Sequence, residues 1–151
     1  MNKTYSIRFL TEEFYKKYNE EDYPEIEHKD TRPYLVLLLT IEDNTFALPF
    51  RTNIRHNYCY KFHNTGRDTD SVTGIDYTKA VIVNDDSFLG NDANIDDKEY
   101  VELNGKYFFI IKQFTNYLNG YKKYVAGELN PYAAKKYLYS TLRYFHKELG
   151  L

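Results

Sequence analysis

With 151 residues and a formal net charge of −2, the chain is long enough for one compact domain, predicted over residues 1–151, and too acidic to coat nucleic acid non-specifically. Seventeen tyrosines, ten phenylalanines and no tryptophan predict a core whose tyrosine hydroxyls need hydrogen-bond partners. The single cysteine, Cys59, excludes an internal disulfide, and the lack of a long apolar run predicts a cytoplasmic protein without a membrane-spanning segment.

The first third of the chain predicts a strand, a helix and a β-hairpin. Residues 5–9 alternate as a short strand does, and Thr11 then has the chemistry of a helix N-cap. Residues 34–42 are rich in Leu, Val and Ile and predict a buried strand. A turn at Asp43-Asn44 joins it to an alternating strand over residues 45–50, which predicts a β-hairpin.

The middle of the chain predicts short strands separated by polar loops. Residues 58–62 and 80–83 have the composition of strands, and the intervening residues 64–74 predict a loop. Residues 85–97 are acidic and predict a second loop, which leads to a last short strand over residues 99–103.

The final third predicts two helices. Asn104 is expected to cap the first, which runs to about residue 125 with Phe108 and Leu118 on its apolar face. Asn130 and Pro131 are expected to begin the second, which continues to Gly150. The predicted class is therefore α+β, with a mostly antiparallel sheet, an N-terminal helix and two C-terminal helices.

Residues 51–67 form a local cationic feature in a chain that is otherwise net acidic. This segment carries four basic residues, two histidines, three aromatic residues and no acid. Guanidinium groups bind phosphate, aromatic rings stack on bases, and histidine can move a proton near neutral pH. The combination indicates RNA chemistry.

The start of this segment predicts a site for cleavage of an RNA phosphodiester. Arg51 and Arg55 are placed to hold the phosphate and to stabilise the charge of its transition state. Thr52 and Asn53 can donate hydrogen bonds to its oxygens, and His56 can act as general acid or base. Because RNA supplies its own 2′-hydroxyl nucleophile, we expect neither a metal nor another cofactor.

Other basic and aromatic residues are predicted to extend the site along the RNA backbone. Four of them have a plainer interpretation: solvent exposure for His28, a salt bridge for Arg32, a pair with Asp76 for Lys79, and a core-facing position for Tyr58. For the basic segment as a whole, the alternative is a solvated loop whose arginines pair with the acidic residues 20–30 and 84–97. The predicted RNA contacts are His28, Arg32, Tyr58, Lys61, His63, Arg67 and Lys79.

Two motifs resemble one known family. Residues 48–58, which read LPFRTNIRHNY, and residues 71–80, which end in GIDYTKA, resemble the endoribonuclease toxins of type III toxin–antitoxin systems. These are the ToxN, AbiQ, CptN and TenpN group, and the short length fits the CptN and TenpN branches best. The family's hydroxyl and basic site residues are matched by Thr52 and by Arg55 or Arg51, and its basic residue before the core strand is matched by Arg32.

The resemblance implies a fold, a reaction and a partner. The fold would be a compact, barrel-like antiparallel sheet similar to the MazF and Kid toxins. The reaction would be metal-independent cleavage of cellular or phage RNA, leaving a 2′,3′-cyclic phosphate and a 5′-hydroxyl. The partner would be a structured, repeat-encoded antitoxin RNA that the toxin cuts and then holds in a closed toxin–RNA complex.

Two other functions fit the same sequence. The basic segment could grip a structured RNA without cutting it, which would make the protein an RNA-binding module. Alternatively, the tyrosine-rich C-terminal helices could bind another protein, in which case no salt-sensitive RNA affinity is expected.

Overall fold

An open antiparallel sheet carries the elements that position the candidate site. The computed structural model describes residues 6–26, 34–66 and 72–151, and within these ranges seven strands form the sheet in the order β4-β5-β3-β2-β1-β7, with β6 also paired to β3. The strands are β1 (Ser6–Leu10), β2 (Leu35–Ile41), β3 (Asn44–Thr52), β4 (Cys59–Lys61), β5 (Thr73–Asp76), β6 (Val81–Ile82) and β7 (Leu89–Asp92).

The helices of the described ranges differ greatly in length. They are α1 (Glu12–Lys17), α2 (Asp97–Val125), α3 (Pro131–Ala134) and α4 (His146–Leu149). The α+β class and the antiparallel sheet are confirmed. Closure of the sheet into a barrel stays a prediction, because no described pairing joins β4 to β7. None of these helices combines the length and the apolar character that crossing a bilayer requires.

The predicted β2–β3 hairpin forms the centre of the sheet. Its turn lies one residue earlier than predicted, at Glu42 and Asp43, whose φ angles of 51° and 68° are typical of a two-residue hairpin turn. Asn44 belongs to the strand, where it pairs with Ile41, and its side chain is buried. Its amide donates to the Glu148 carbonyl at 3.0 Å, and its side-chain oxygen accepts a 2.8 Å hydrogen bond from Asn84.

The predicted cap of α1 is confirmed, but the predicted start of the long helix is wrong. The Thr11 hydroxyl accepts a hydrogen bond from the Phe14 amide, as an N-cap does. The helix α2 begins at Asp97, where Asp96 accepts hydrogen bonds from two backbone amides. Residues 99–103 are therefore helical rather than a strand, and Asn104 lies inside the helix.

The face that α2 buries explains its early start. A stripe at helical spacing packs against the sheet from the first turns onward, and this burial outweighs the local alternation of residues 99–103. Leu118 is buried as predicted, whereas Phe108 is 61% exposed. The buried aliphatic and aromatic residues of α2 are Leu103, Tyr107, Ile110, Phe114, Tyr117, Leu118 and Tyr121.

The second predicted C-terminal helix begins correctly but is broken. Asn130 caps α3 through the Ala133 amide, as expected. Tight 3₁₀ turns over Lys135–Tyr137 and Thr141–Phe145 then replace the predicted continuous helix. The Ser140 hydroxyl accepts a hydrogen bond from the Leu142 amide and starts a new turn, which interrupts the α-helical hydrogen bonding.

Two predicted loops contain strands. The strand β5 begins at Thr73, inside the predicted loop 64–74, and β7 lies inside the predicted loop 85–97. Both have only four residues and contain a glycine, so neither has a clear alternation of the kind that identifies a strand. Pairing with neighbouring strands makes both segments extended, since β5 is hydrogen-bonded to β3 and β4, and β7 is hydrogen-bonded to β1.

We expect Gly120→Ala to destabilise the protein by about 1–3 kcal/mol, although alanine favours helices more than glycine does. A Cβ at Gly120 would lie 2.0 Å from the hydroxyl of the buried Tyr137, which must then move. The measurement is the free energy of unfolding in urea.

Gly105→Ala is the matched control on the same helix. Nothing lies within 4 Å of a Cβ there, so the substitution should stabilise the protein by about 0.5–1 kcal/mol. A Gly120→Ala variant as stable as Gly105→Ala would contradict the predicted close packing.

Candidate functional site

The registers of β3, β4 and β5 bring several polar side chains to one face of the sheet. Gly74 on β5 pairs with Arg51 on β3 and with Lys61 on β4, while Asp76 pairs with Cys59. Because side chains alternate along a strand, these four side chains share a face with the bare backbone of Gly74. The residues of the opposite face pack toward the core, and they are Phe50, Tyr60 and Ile75.

A fully buried carboxylate, Asp76, holds this face together. Arg51 Nη1 donates to Asp76 Oδ2 at 2.5 Å, and His56 Nε2 lies 3.3 Å from the same oxygen. The other oxygen, Oδ1, accepts hydrogen bonds from the Thr78 amide at 2.9 Å and from its hydroxyl at 2.6 Å. Both oxygens of the carboxylate are therefore occupied by donors.

These donors keep Asp76 ionised. Burial alone would raise the pKa of this carboxyl group, but hydrogen bonds from His56, Thr78 and Arg51 and the positive charge of the imidazolium form together lower its pKa from 3.8 to about 2. At neutral pH the site therefore contains a fixed negative charge with a guanidinium and an imidazole ordered around it.

The hydrogen bonds of His56 define its neutral tautomer. The Tyr58 amide donates to Nδ1 at 3.1 Å, so Nδ1 carries a lone pair and the proton lies on Nε2, directed at Asp76. The Tyr58 ring stacks on the imidazole with ring centroids 5.6 Å apart. Proton exchange at Nδ1 therefore requires release of the Tyr58 amide.

The loop that follows β3 presents its polar side chains to solvent. Thr52, Asn53 and Arg55 are exposed, and Asn53 has a φ of 59°, which turns the chain out of the strand. The buried Ile54 anchors the loop, and its amide donates to the Val72 carbonyl at 3.3 Å. Within the described ranges, the Arg55 side chain makes no hydrogen bond or ion pair.

Among the residues that the structure describes, Arg51 and Arg55 form no ion pair with the acids of the alternative interpretation. Arg51 pairs with Asp76, which lies outside the acidic residues 20–30 and 84–97, and Arg55 pairs with no acid among the described residues. The predicted Asp76–Lys79 pair is replaced as well, since Asp76 is bound by Arg51 and His56. Lys79 Nζ donates to the Glu25 carbonyl at 2.9 Å.

Lys61 adds a second basic side chain to the face of the sheet that carries Arg51. The face with Arg51 and Lys61 is called the cationic face below. Lys61 Nζ donates to the Asn57 side chain at 3.0 Å. A Cβ at Gly74 would lie 2.0 Å from the Tyr60 carbonyl oxygen, so this position accepts only glycine without movement of the backbone. Gly74 is itself buried, so the glycine is explained by the close approach of β4, and Arg51 and Lys61 lie on either side of it in the sheet.

The residues that follow β4 are held by helix α2. The His63 and Asn64 amides donate to Glu102, and His63 Nδ1 lies 3.0 Å from the same carboxylate. The Gly66 amide donates to Asp96 at 2.8 Å. His63 is exposed, yet its ring is engaged by Glu102, so the structure ties this predicted RNA contact to the helix.

The remaining predicted residues are exposed, buried or outside the described ranges. Tyr58 is exposed beside His56, so its plainer interpretation as a core-facing residue is wrong, whereas the neighbouring Tyr60 is buried in the core. Burial raises the pKa of the Cys59 thiol to about 11, which keeps it protonated at neutral pH, as in an inert buried cysteine. His28, Arg32 and Arg67 lie outside the described residues.

Sequence reasoning missed the central role of Asp76. The available signal was its position in the otherwise apolar or hydroxyl-bearing strand β5, since a buried acid requires cationic or hydroxyl donors. Within the described ranges, no group of three or more His, Cys, Asp or Glu side chains is arranged to bind a metal ion.

Comparisons with known proteins do not assign the site. A scan against models of protein families, a search of curated proteins and a search of solved structures each found no match. The roles of Arg51, Arg55 and His56 are therefore argued from their surroundings in this structure.

Asp76→Asn should abolish a defined part of the acid sensitivity of the protein. Because the folded-state pKa of Asp76 is lowered, its charge contributes stability that is complete above the unfolded-state pKa and is lost as pH falls from about 4 to about 2. This contribution is about 2 kcal/mol. The measurement is the free energy of unfolding in urea across this pH range.

The matched control is Asp92→Asn, whose side chain is exposed beside Arg8. It should retain the wild-type pH dependence and most of the stability. At pH 7, Asp76→Asn should cost about 3–5 kcal/mol because Arg51 loses its buried counter-charge. Identical pH profiles for the two variants would refute the role given to Asp76.

Proposed function

We propose that this protein is a metal-independent endoribonuclease toxin of a type III toxin–antitoxin system. One observation carries the proposal: the exposed loop with Thr52, Asn53 and Arg55 lies next to Arg51 and His56, which Asp76 holds in place. Fixed and exposed donors around one cationic face are what phosphoryl chemistry without a metal requires.

The proposed reaction is a transesterification within the RNA. The 2′-oxygen forms a bond to phosphorus, the bond from phosphorus to the 5′-oxygen breaks, and the products are a 2′,3′-cyclic phosphate and a 5′-hydroxyl. One proton leaves the 2′-hydroxyl and one reaches the departing oxygen, so no water is consumed. Arg55 and Arg51 stabilise the negative charge that develops on the phosphate, while Thr52 and Asn53 orient its oxygens.

In this mechanism His56 serves one of the two proton transfers through Nδ1. Asp76 accepts a hydrogen bond from Nε2–H and keeps the ring oriented without taking its proton, as the carboxylate of a catalytic triad orients its histidine. Bound RNA would replace the Tyr58 amide as the partner of Nδ1. The exposed Tyr58 ring, already stacked on His56, then offers a surface for a base.

The resemblance to type III toxins extends the proposal to partners and fold. The substrates are cellular or phage RNA in the cytoplasm, and a structured antitoxin RNA occupies the same cationic face in a closed toxin–RNA complex. The open sheet of the described residues is compatible with a MazF-like or Kid-like core, because the antiparallel β2–β3 pair lies at its centre.

A second candidate function is favoured by one feature of the site. Both ring nitrogens of His56 already have partners, so the same face would bind RNA without cutting it if the Tyr58 amide is not displaced. The protein would then be a non-catalytic RNA-binding module. Incubation of RNA with the purified protein in chelator separates the two candidates, since only the enzyme produces ends that bear cyclic phosphate.

Arg55→Ala should reduce RNA cleavage on the order of 100-fold or more, because it removes a cation that stabilises the transition state. The side chain is exposed and makes no described ion pair, so the free energy of unfolding should change by less than about 0.5 kcal/mol. The measurement is single-turnover cleavage of labelled RNA in chelator, alongside growth arrest on expression in a bacterial host.

The control for lost positive charge is Lys98→Ala, at an exposed position in the first turn of α2. It should cleave RNA at the wild-type rate. His56→Ala should also lose most cleavage. The catalytic assignment fails if Arg55→Ala and His56→Ala both cut RNA and arrest growth as the wild type does.

A further inference from the structure

The C-terminal segment is a second basic and aromatic region without acids. Residues 129–147 contain four Lys or Arg residues, five aromatic residues and no Asp or Glu, in a chain whose net charge is −2. Its composition therefore repeats that of residues 51–67, although it lies in helical turns rather than between strands.

Two tyrosines of this segment project into solvent. Tyr132 is 84% exposed and Tyr139 is 72% exposed, which makes them the most exposed aromatic residues in the described ranges. Most of the other tyrosines that the structure describes are buried or half-buried in the core. Lys135 lies between these two along the chain, is exposed, and makes no ion pair with a described residue.

The backbone that carries these rings is well ordered by hydrogen bonds. Asn130 caps the turn that contains Tyr132. Arg143 donates from Nε to the Ser140 carbonyl at 3.2 Å and from Nη2 to the Leu138 carbonyl, so it fixes the chain on both sides of Tyr139. A ring presented by a rigid backbone loses little conformational entropy when it binds a ligand.

This segment is joined directly to the candidate site. The Thr141 hydroxyl donates to the Thr78 carbonyl at 3.3 Å and also to the Ala80 carbonyl. Thr78 in turn donates to Asp76, the carboxylate that orders Arg51 and His56. A short chain of hydrogen bonds therefore links the exposed tyrosine segment to the residues proposed to act on RNA.

We infer that Tyr132, Lys135 and Tyr139 form a second contact surface for RNA, on which unpaired bases stack outside the cleavage site. Exposed rings with a lysine between them match a ligand that alternates planar bases with phosphates, and Glu25, which contacts this segment, is itself paired with Arg143. An apolar protein partner would leave Lys135 without a counter-charge. The choice of RNA as ligand rests on the proposed function, but the surface does not require the protein to cut RNA.

The test measures binding without cleavage. The probe is a fluorescent single-stranded RNA of about 20 nucleotides, longer than typical single-strand sites, with 2′-O-methyl groups at every position so that it has no nucleophile. Binding is measured by anisotropy in chelator. The Tyr132→Ala, Tyr139→Ala double variant should bind on the order of 100-fold more weakly, about tenfold for each ring.

Matched variants identify the cause of any loss. The Tyr100→Ala, Phe108→Ala double variant removes two exposed rings from α2 and should bind within twofold of wild type. Replacement of Tyr132 and Tyr139 by phenylalanine should preserve binding, because stacking needs only the ring. Lys135→Ala should reduce the slope of log affinity against log salt by about 0.7, the value for one phosphate contact on a single strand.

Wild-type affinity in the Tyr132→Ala, Tyr139→Ala variant would overturn the inference, and so would an equal loss in the α2 variant. Cleavage of all-ribose RNA is scored separately. A wild-type protein that binds the methylated RNA through these tyrosines but never cuts RNA refutes the endoribonuclease and retains the surface. A double variant that cuts and binds like wild type refutes the surface and retains the endoribonuclease.

Discussion

A buried charge on β5 is the constraint on which the site depends. Asp76 has no contact with solvent, and a carboxylate in that position is tolerated only when donors replace the water it has lost. Arg51 from β3, His56 from the following loop and the Thr78 turn supply those donors. Burial of one acid therefore fixes the positions of the Arg51 and His56 side chains.

The same constraint divides the basic segment into ordered and exposed groups. Arg51 and His56 are held before any ligand arrives, while Arg55, Thr52 and Asn53 remain exposed to solvent. Ordered groups lose little entropy on binding, and exposed groups can reach a phosphate directly. The proposed binding of a polyanion is compatible with a central acid at this site, because the acid is buried and its charge is matched by Arg51.

Acids elsewhere in the chain act in a similar way. Glu102 and Asp96 accept backbone hydrogen bonds from the residues after β4, and Glu25 accepts hydrogen bonds from Tyr144 and Arg143. These carboxylates accept hydrogen bonds from within the protein, near the two segments that contain no acid, residues 51–67 and 129–147. A chain with a net charge of −2 can thereby present local cationic surfaces, which composition alone would not reveal.

Local chemistry by itself determined the β2–β3 hairpin, the Thr11 and Asn130 caps and the acid-free character of residues 51–67, because each depends on neighbours in the chain. Tertiary structure alone decided the arrangement of the site, because Asp76 meets Arg51 only through the β3–β5 register, across 25 positions of sequence. The start of α2 combines a local cap at Asp96 with burial of one face of the helix. The break at Ser140 combines a local hydrogen bond from the Leu142 amide with hydrogen bonds from Thr141 to the distant Thr78 and Ala80 carbonyls, and burial and such long-range bonds exceed the small preferences that a sequence pattern expresses.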